Sequence, residues 1–122
     1  MPCQYTNDLG TINIADNVIA KIAGLSAMES YGIVGMSAID AKDGFYNLLN
    51  MENLSKGVKV STDGQHVDIS LYVVLEFGVK ISVVCDNIIE KVKYNVEKQT
   101  AMSVKNVNVF VQGLRMNDKS RR

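Results

Sequence analysis

The apolar positions of this chain change period several times, and each change marks an element. "GTINI" (10–14) alternates and is β-branched, which predicts a short first strand. In "ADNVIAKIAGLSAMES" (15–30), Val18, Ile19, Ile22, Ala23 and Leu25 recur at three- and four-residue steps, the spacing of an amphipathic helix. Asp16 suits the positive end of that helix, and Gly32 supplies a stop. "IVGMSAI" (33–39) reads as a second strand. The stretch 40–57 is the least regular; in it Phe45, Leu48 and Leu49 are expected to pin a long loop to the core.

"VKVST" and "VDISLYVVLEF" then predict a hairpin around "TDGQH" (62–66), with Asp63-Gly64 as its turn. In the longer strand Val67, Ile69, Leu71, Val73, Leu75 and Phe77 share one face, and Asp68, Ser70, Tyr72, Val74 and Glu76 the other. The segment 79–100 is the strongest helix, with a stripe of Ile81, Cys85, Ile88, Val92 and Val96. "MSVKNVNVFVQG" (102–113) closes the pattern as a strand, with Val107, Val109 and Val111 facing opposite to Asn108, Phe110 and Gln112.

The predicted order is β-α-β-β-β-α-β. Two helices and about five strands imply an α+β fold of two layers, with the strands in one sheet and both helices on one of its faces. At 122 residues the chain fits a single domain, 1–122, with a core of about 9–115 and a disordered tail at 116–122. The other sheet face is left partly open. Tyr72, Val74, Glu76, Phe110 and Gln112 lie on it and form the candidate protein-contact face.

Composition removes several classes of function. Lys and Arg total 13, as do Asp and Glu, so overall charge makes no case for nucleic acid or an anionic membrane. The start "MPCQYTNDLG" has neither the basic nor the apolar run of a signal peptide, and no window resembles a membrane span. A cytoplasmic chain is expected, with Cys3 near a frayed terminus and Cys85 in a helix, both as free thiols.

No catalytic constellation emerges. Gly78 stands at a strand-to-helix corner, where enzymes often hold phosphate. But "EFGVKISV" has one glycine, and Lys80 and Ser82 lack the loop that would aim them. Gly78 is read as a backbone device for the corner. Gly32 and Gly35 match the G-x-x-G spacing of KH RNA clamps, yet Ile33 and Val34 between them favour a strand. His66, the sole histidine, has only Asp63 and Asp68 nearby, which is thin for a metal or a general base. Asp40 and Asp43 read as solvated loop residues, and Glu76 as a salt-bridge partner of Lys80 or Lys105. The expectation is no enzyme, cofactor or metal.

The back half of the chain resembles the alkaline shock protein family, also called the envelope stress response family. The matching positions are Phe77-Gly78-Val79, Ile81, Val84, Asn87-Ile88, Val92 and Val96, then Val107-Asn108-Val109 and Val111-Gln112-Gly113. "GTINIADNVIAKIAGLSAMESYGIVGM" is similar to the family's opening strand, helix and glycine-rich junction, so the resemblance covers about 9–115. One departure is "TAM" (100–102), where the family commonly has Thr-Gly-Leu; Ala101 takes positive φ less easily than glycine.

The resemblance implies a small bacterial cytoplasmic protein without established catalysis, linked to envelope stress. One branch of the family sits at the inner face of the membrane through a membrane-anchored partner. This chain looks most like the branch encoded beside dihydroxyacetone-kinase-like fatty-acid kinases. The leading expectation is a non-enzymatic interaction protein of envelope homeostasis, acting as a homo-oligomer or through a protein partner. The alternatives are a regulatory or carrier module for fatty-acid metabolism, contacting such a kinase or the membrane surface, and a KH-like RNA-binding module.

Overall fold

The computed structural model describes residues 3–39, 48–63 and 65–116. The chain runs through β1 (Cys3–Asn7), β2 (Gly10–Ile14), α1 (Asp16–Met28), β3 (Ile33–Met36), a 3-10 helix (Met51–Gly57), β4 (Val58–Thr62), β5 (His66–Glu76), α2 (Ile81–Thr100) and β6 (Ser103–Arg115). This is the expected α+β class. β5 is the spine of a four-stranded sheet: β4 pairs antiparallel with its first half, β3 antiparallel with its last residues, and β6 runs parallel to it throughout. A parallel neighbour needs a long crossover, and α2 supplies it.

The strand at 10–14 does not join that sheet. It pairs with Cys3–Asn7 as a separate antiparallel hairpin, so Cys3 lies in a strand rather than at a frayed end. The cause is local turn chemistry. The Asn7 side-chain oxygen accepts from the N–H groups of Leu9 and Gly10, at 2.8 and 3.1 Å, and closes the chain on itself.

The core lies between the helices and one face of the sheet. Ile19, Ala23 and Ala27 of α1 and Val84, Ile88, Val92 and Val96 of α2 meet Val67, Ile69, Leu71, Val73 and Leu75 of β5. Burying one such aliphatic side chain stabilises by about 1.5–3 kcal/mol, and the alternation of β5 supplies five. The α2 stripe begins at Val84, not Ile81: Ile81 is in the exposed first turn, and Cys85 is half-buried. Leu54 of the 3-10 helix is also in the core, so part of the irregular stretch packs under α1. Leu49 packs against that core too, and Leu48 bridges to Ser37. Phe45, Asp40, Asp43, Gly64 and the tail from 117 lie outside the described residues.

Two glycines are required by their backbone. Gly32 has φ +90 after α1, and a Cβ there would meet Val84 Cγ2 at 2.8 Å. Gly78 has φ +97 with open space around it, so conformation alone selects it.

Candidate functional site

The outer face of β5 and β6 carries a ladder set by parallel register: Asp68 opposite Asn106, Ser70 opposite Asn108, Tyr72 opposite Phe110. Asn106 donates to Asp68 Oδ1 at 2.9 Å. The Tyr72 and Phe110 rings stack with centroids 4.8 Å apart and planes 12° off parallel. Such a pair is worth about 0.5–1.5 kcal/mol beyond its burial, and it fixes both rings. Phe110 remains 47% exposed, an aromatic surface in the middle of a polar face.

The five candidate contact residues do lie on these two adjacent strands, but they are not equally available. Val74 is fully buried. The β5–β6 register shifts between Val73 and Val74, leaving Gln112 as an extra residue and setting Val74 opposite Gly113. On its other side stands Gly35, covered so closely by Leu48 that a Cβ at Gly35 would lie 3.0 Å from Leu48 Cδ2. Val74 is therefore enclosed in the sheet between β3 and β6 and is not available as a contact residue. Glu76 stands opposite Arg115 in register. Lys105 lies ten residues back along β6, roughly 33 Å at strand rise, and is out of reach of Glu76.

Glu76 also borders the corner. There Phe77 leaves the core face and is 60% exposed, because β5 ends at Glu76 and the chain turns at Gly78. The turn is held by Glu76 N–H to Gly32 O and Phe77 N–H to Arg115 O, both 2.8 Å. A groove of about 430 Å³ opens here, lined by Tyr31, Phe77, Val79 and Val83 with Glu76, Lys80 and Asn87 at its polar positions. Tyr31 is 80% exposed. The Lys80 carbonyl already accepts from Val83 and Val84 N–H at 3.1 Å. With one glycine and a mixed polar and apolar lining, the groove lacks the glycine-rich loop of a phosphate cradle. Sequence pattern assigns Phe77 to the core and gives no weight to Tyr31; the aromatic beside a turn glycine was the available signal.

The remaining chemical candidates separate. Asp63 Oδ1 accepts from the backbone N–H groups of His66 and Gln65, at 2.7 and 3.1 Å, and these bonds lower its pKa. His66 Nδ1 lies 3.6 Å from the same oxygen, whereas Asp68 is turned to Asn106. Among the described residues no group of three His, Cys, Asp or Glu is placed to hold a metal. Gly32 is buried against Val84, and Gly35 lies within β3, so the G-x-x-G spacing presents no loop to RNA. Cys85 is a free thiol, its pKa raised by burial and then by Asp86. No described helix is long and apolar enough to cross a membrane.

Comparison with known proteins supplies the context for these surfaces. No solved structure matches this one. The chain is 40% identical over 117 residues to the uncharacterized protein YloU of Bacillus subtilis, covering 95% of this chain and 98% of that one. It is 44% identical over 108 residues to the uncharacterized protein Spy1614 of Streptococcus pyogenes, covering 88% and 89%. It is 28% identical over 113 residues to a stress response regulator gls24 homolog of Streptococcus pyogenes, covering 90% of this chain and 62% of that one. The alkaline shock protein 23 family, described as having a cell envelope-related function, matches residues 4–116. That match takes in α1, the Phe77-Gly78-Val79 corner, α2 and β6 together, and the chain belongs to the alkaline shock protein family.

Proposed function

We propose that the chain is a non-enzymatic interaction protein of the cell-envelope stress response or its homeostasis, acting through self-association or a protein partner. The observation that carries this reading is the exposed, prearranged aromatic surface. Phe110 is stacked on Tyr72 at 4.8 Å on the sheet face away from the helices, and its strand leads to the exposed Phe77 and Tyr31 at the corner. Rigid aromatics lose little entropy on binding and dominate contact energies. The family's envelope-related description and the stress-response name of a relative support the setting. An inner-membrane-face location through an anchored partner belongs to this proposal.

The test is a mild-crosslink pull-down of the tagged protein from its own cells, read by mass spectrometry, for wild type and Phe110→Ser. Recovery of the chain itself or of a defined partner, reduced in the variant, supports the reading. A fatty-acid kinase among the recovered proteins would specify the regulatory version. Equal recovery from both proteins would remove the aromatic face from the account.

A further inference from the structure

α1 is apolar on the side turned away from the core. Its core stripe is Ile19, Ala23 and Ala27, and at about 100° per residue Leu25 lies roughly 160° around the helix from Ala23 and Ala27. Val18, on the same outer side, is 49% exposed, and Ile22, Leu25 and Met28 are only half-buried. Beyond Asp16 the helix has one charged residue, Lys21. α2 belongs to the same layer and shows water a mixture of charges: Asp86, Glu90, Lys91, Lys93 and Lys98 are all exposed. A helix that is apolar all round is normally covered on every side. Beside this face α1 and α2 form a groove of about 600 Å³, lined by Ile22, Leu25, Ser26 and Met28 with Glu29, Asn95 and Gln99. Ser26 and Asn95 are already satisfied there: Ser26 Oγ donates to Ile22 O at 2.7 Å and accepts from Asn95 Nδ2 at 2.9 Å.

The row Lys21, Leu25 and Glu29 indicates the cover. These residues are four apart, so they form one line along the helix surface. Lys21 and Glu29 are exposed, and among the described residues neither forms an ion pair. The row reads cation, leucine, anion, and reversed it is complementary to itself. We propose that α1 pairs antiparallel with α1 of a second copy, about a two-fold axis at Leu25. Each residue then stands level with the one equally far beyond Leu25 in the other copy: Lys21 with the partner's Glu29, and Ile22 with the partner's Met28. Leu25 meets its own counterpart, as an isologous contact requires. A parallel pair would set lysine level with lysine and glutamate with glutamate, so charge selects the antiparallel one. A single 13-residue helix face falls short of the roughly 800 Å² per partner of a standard interface, so the pair is weak and concentration-dependent. The face lies in the layer opposite Phe110, so a molecule joined to its copy through α1 still presents its aromatic sheet face. This inference rests on the self-association half of the proposed function and assigns that half to α1.

The test is sedimentation velocity over a concentration series. Lys21→Glu or Glu29→Lys should each weaken association by roughly threefold to tenfold, because each sets like charges level twice in the symmetric pair, and the double variant should recover most of the loss. Both positions are exposed, so the variants keep their fold. Single cysteines in a Cys3→Ser, Cys85→Ser chain give a second readout under mild oxidation. Leu25→Cys, on the axis, should form a disulfide-linked dimer much faster than Val18→Cys, although Val18 is the more exposed. Across the pair the two copies of position 18 stand about 21 Å apart along the helices, beyond the roughly 7 Å that a disulfide spans between Cα atoms. Association that ignores the charge swaps, or faster linkage from position 18, overturns the inference. Association that survives them and is lost in Phe110→Ser also overturns it and leaves the functional reading standing. A strict monomer removes the inference and the self-association half of that reading together.

Discussion

Ala101 ends α2 in the left-handed region, at φ 61 and ψ 12, and is the one non-glycine with positive φ among the described residues. Its N–H donates to Glu97 O at 2.9 Å, so the conformation closes the helix and is not a free bend. A Cβ in this region costs about 1–2 kcal/mol. Ala101→Gly removes that cost and returns about 0.4–1 kcal/mol of it as freedom of the unfolded chain. Ala101 is exposed, so its methyl group contributes little burial to set against the gain. The net expectation is a stabilisation of about 0.5–1 kcal/mol, or about 2–5 °C in Tm for a domain of this size. Paired urea and thermal unfolding of the two proteins reads it directly: the midpoint rises and the m-value stays constant. A loss of stability of similar size would refute the reasoning, because it would mean that the alanine methyl is packed or that the helix ends differently.

Gly32→Ala should act in the opposite sense. It combines a positive φ with a Cβ 2.8 Å from Val84 Cγ2, so a destabilisation of about 2–4 kcal/mol is expected in the same unfolding assay, and a loss below about 1 kcal/mol would contradict the packing of the α1–β3 turn against α2. Asp63 should titrate below the ordinary aspartate value, because N–H groups of His66 and Gln65 hold its ionised form. With a folded pKa below the unfolded one, its contribution to stability is present above the unfolded value and is lost as pH falls through the folded one; an NMR titration midpoint at or above that of an unstructured peptide would contradict the turn. The Cys85 thiol, raised by burial and by Asp86, should react with a thiol reagent near pH 7 more slowly than an unhindered cysteine, and an equal or faster rate would contradict its placement.

Much of this fold was legible because its strongest elements carry clean periods. β5 alternates, and Val67, Ile69, Leu71, Val73 and Leu75 are all buried as that pattern requires. α1 and α2 start within two residues of their expected limits. The departures share a cause: a neighbour distant in sequence decided the outcome. Val74 sits at a position that alternation assigns to the open face, but it is fully buried where the register of both flanking strand pairs shifts. Phe77 carries the core-face parity of β5, but the strand ends one residue earlier. The first hairpin escapes pattern reading because its signal is one asparagine side chain capping two backbone N–H groups, not a glycine-rich pair. Of the candidate contact face, Tyr72 and Phe110 could be placed together from parity, but their stacking depends on the parallel register of β5 and β6, which local pattern does not encode.

The central claim is that this family member works through an exposed aromatic surface. Its most direct measurement is in-cell photo-crosslinking from a reactive amino acid placed at Phe110, compared with one at Tyr94, a 60% exposed aromatic on α2. The account predicts a discrete crosslinked protein from position 110, either a second copy or a defined partner, and background from position 94. Discrete adducts from position 94 with none from position 110 would contradict it and move the contact surface to the helical layer.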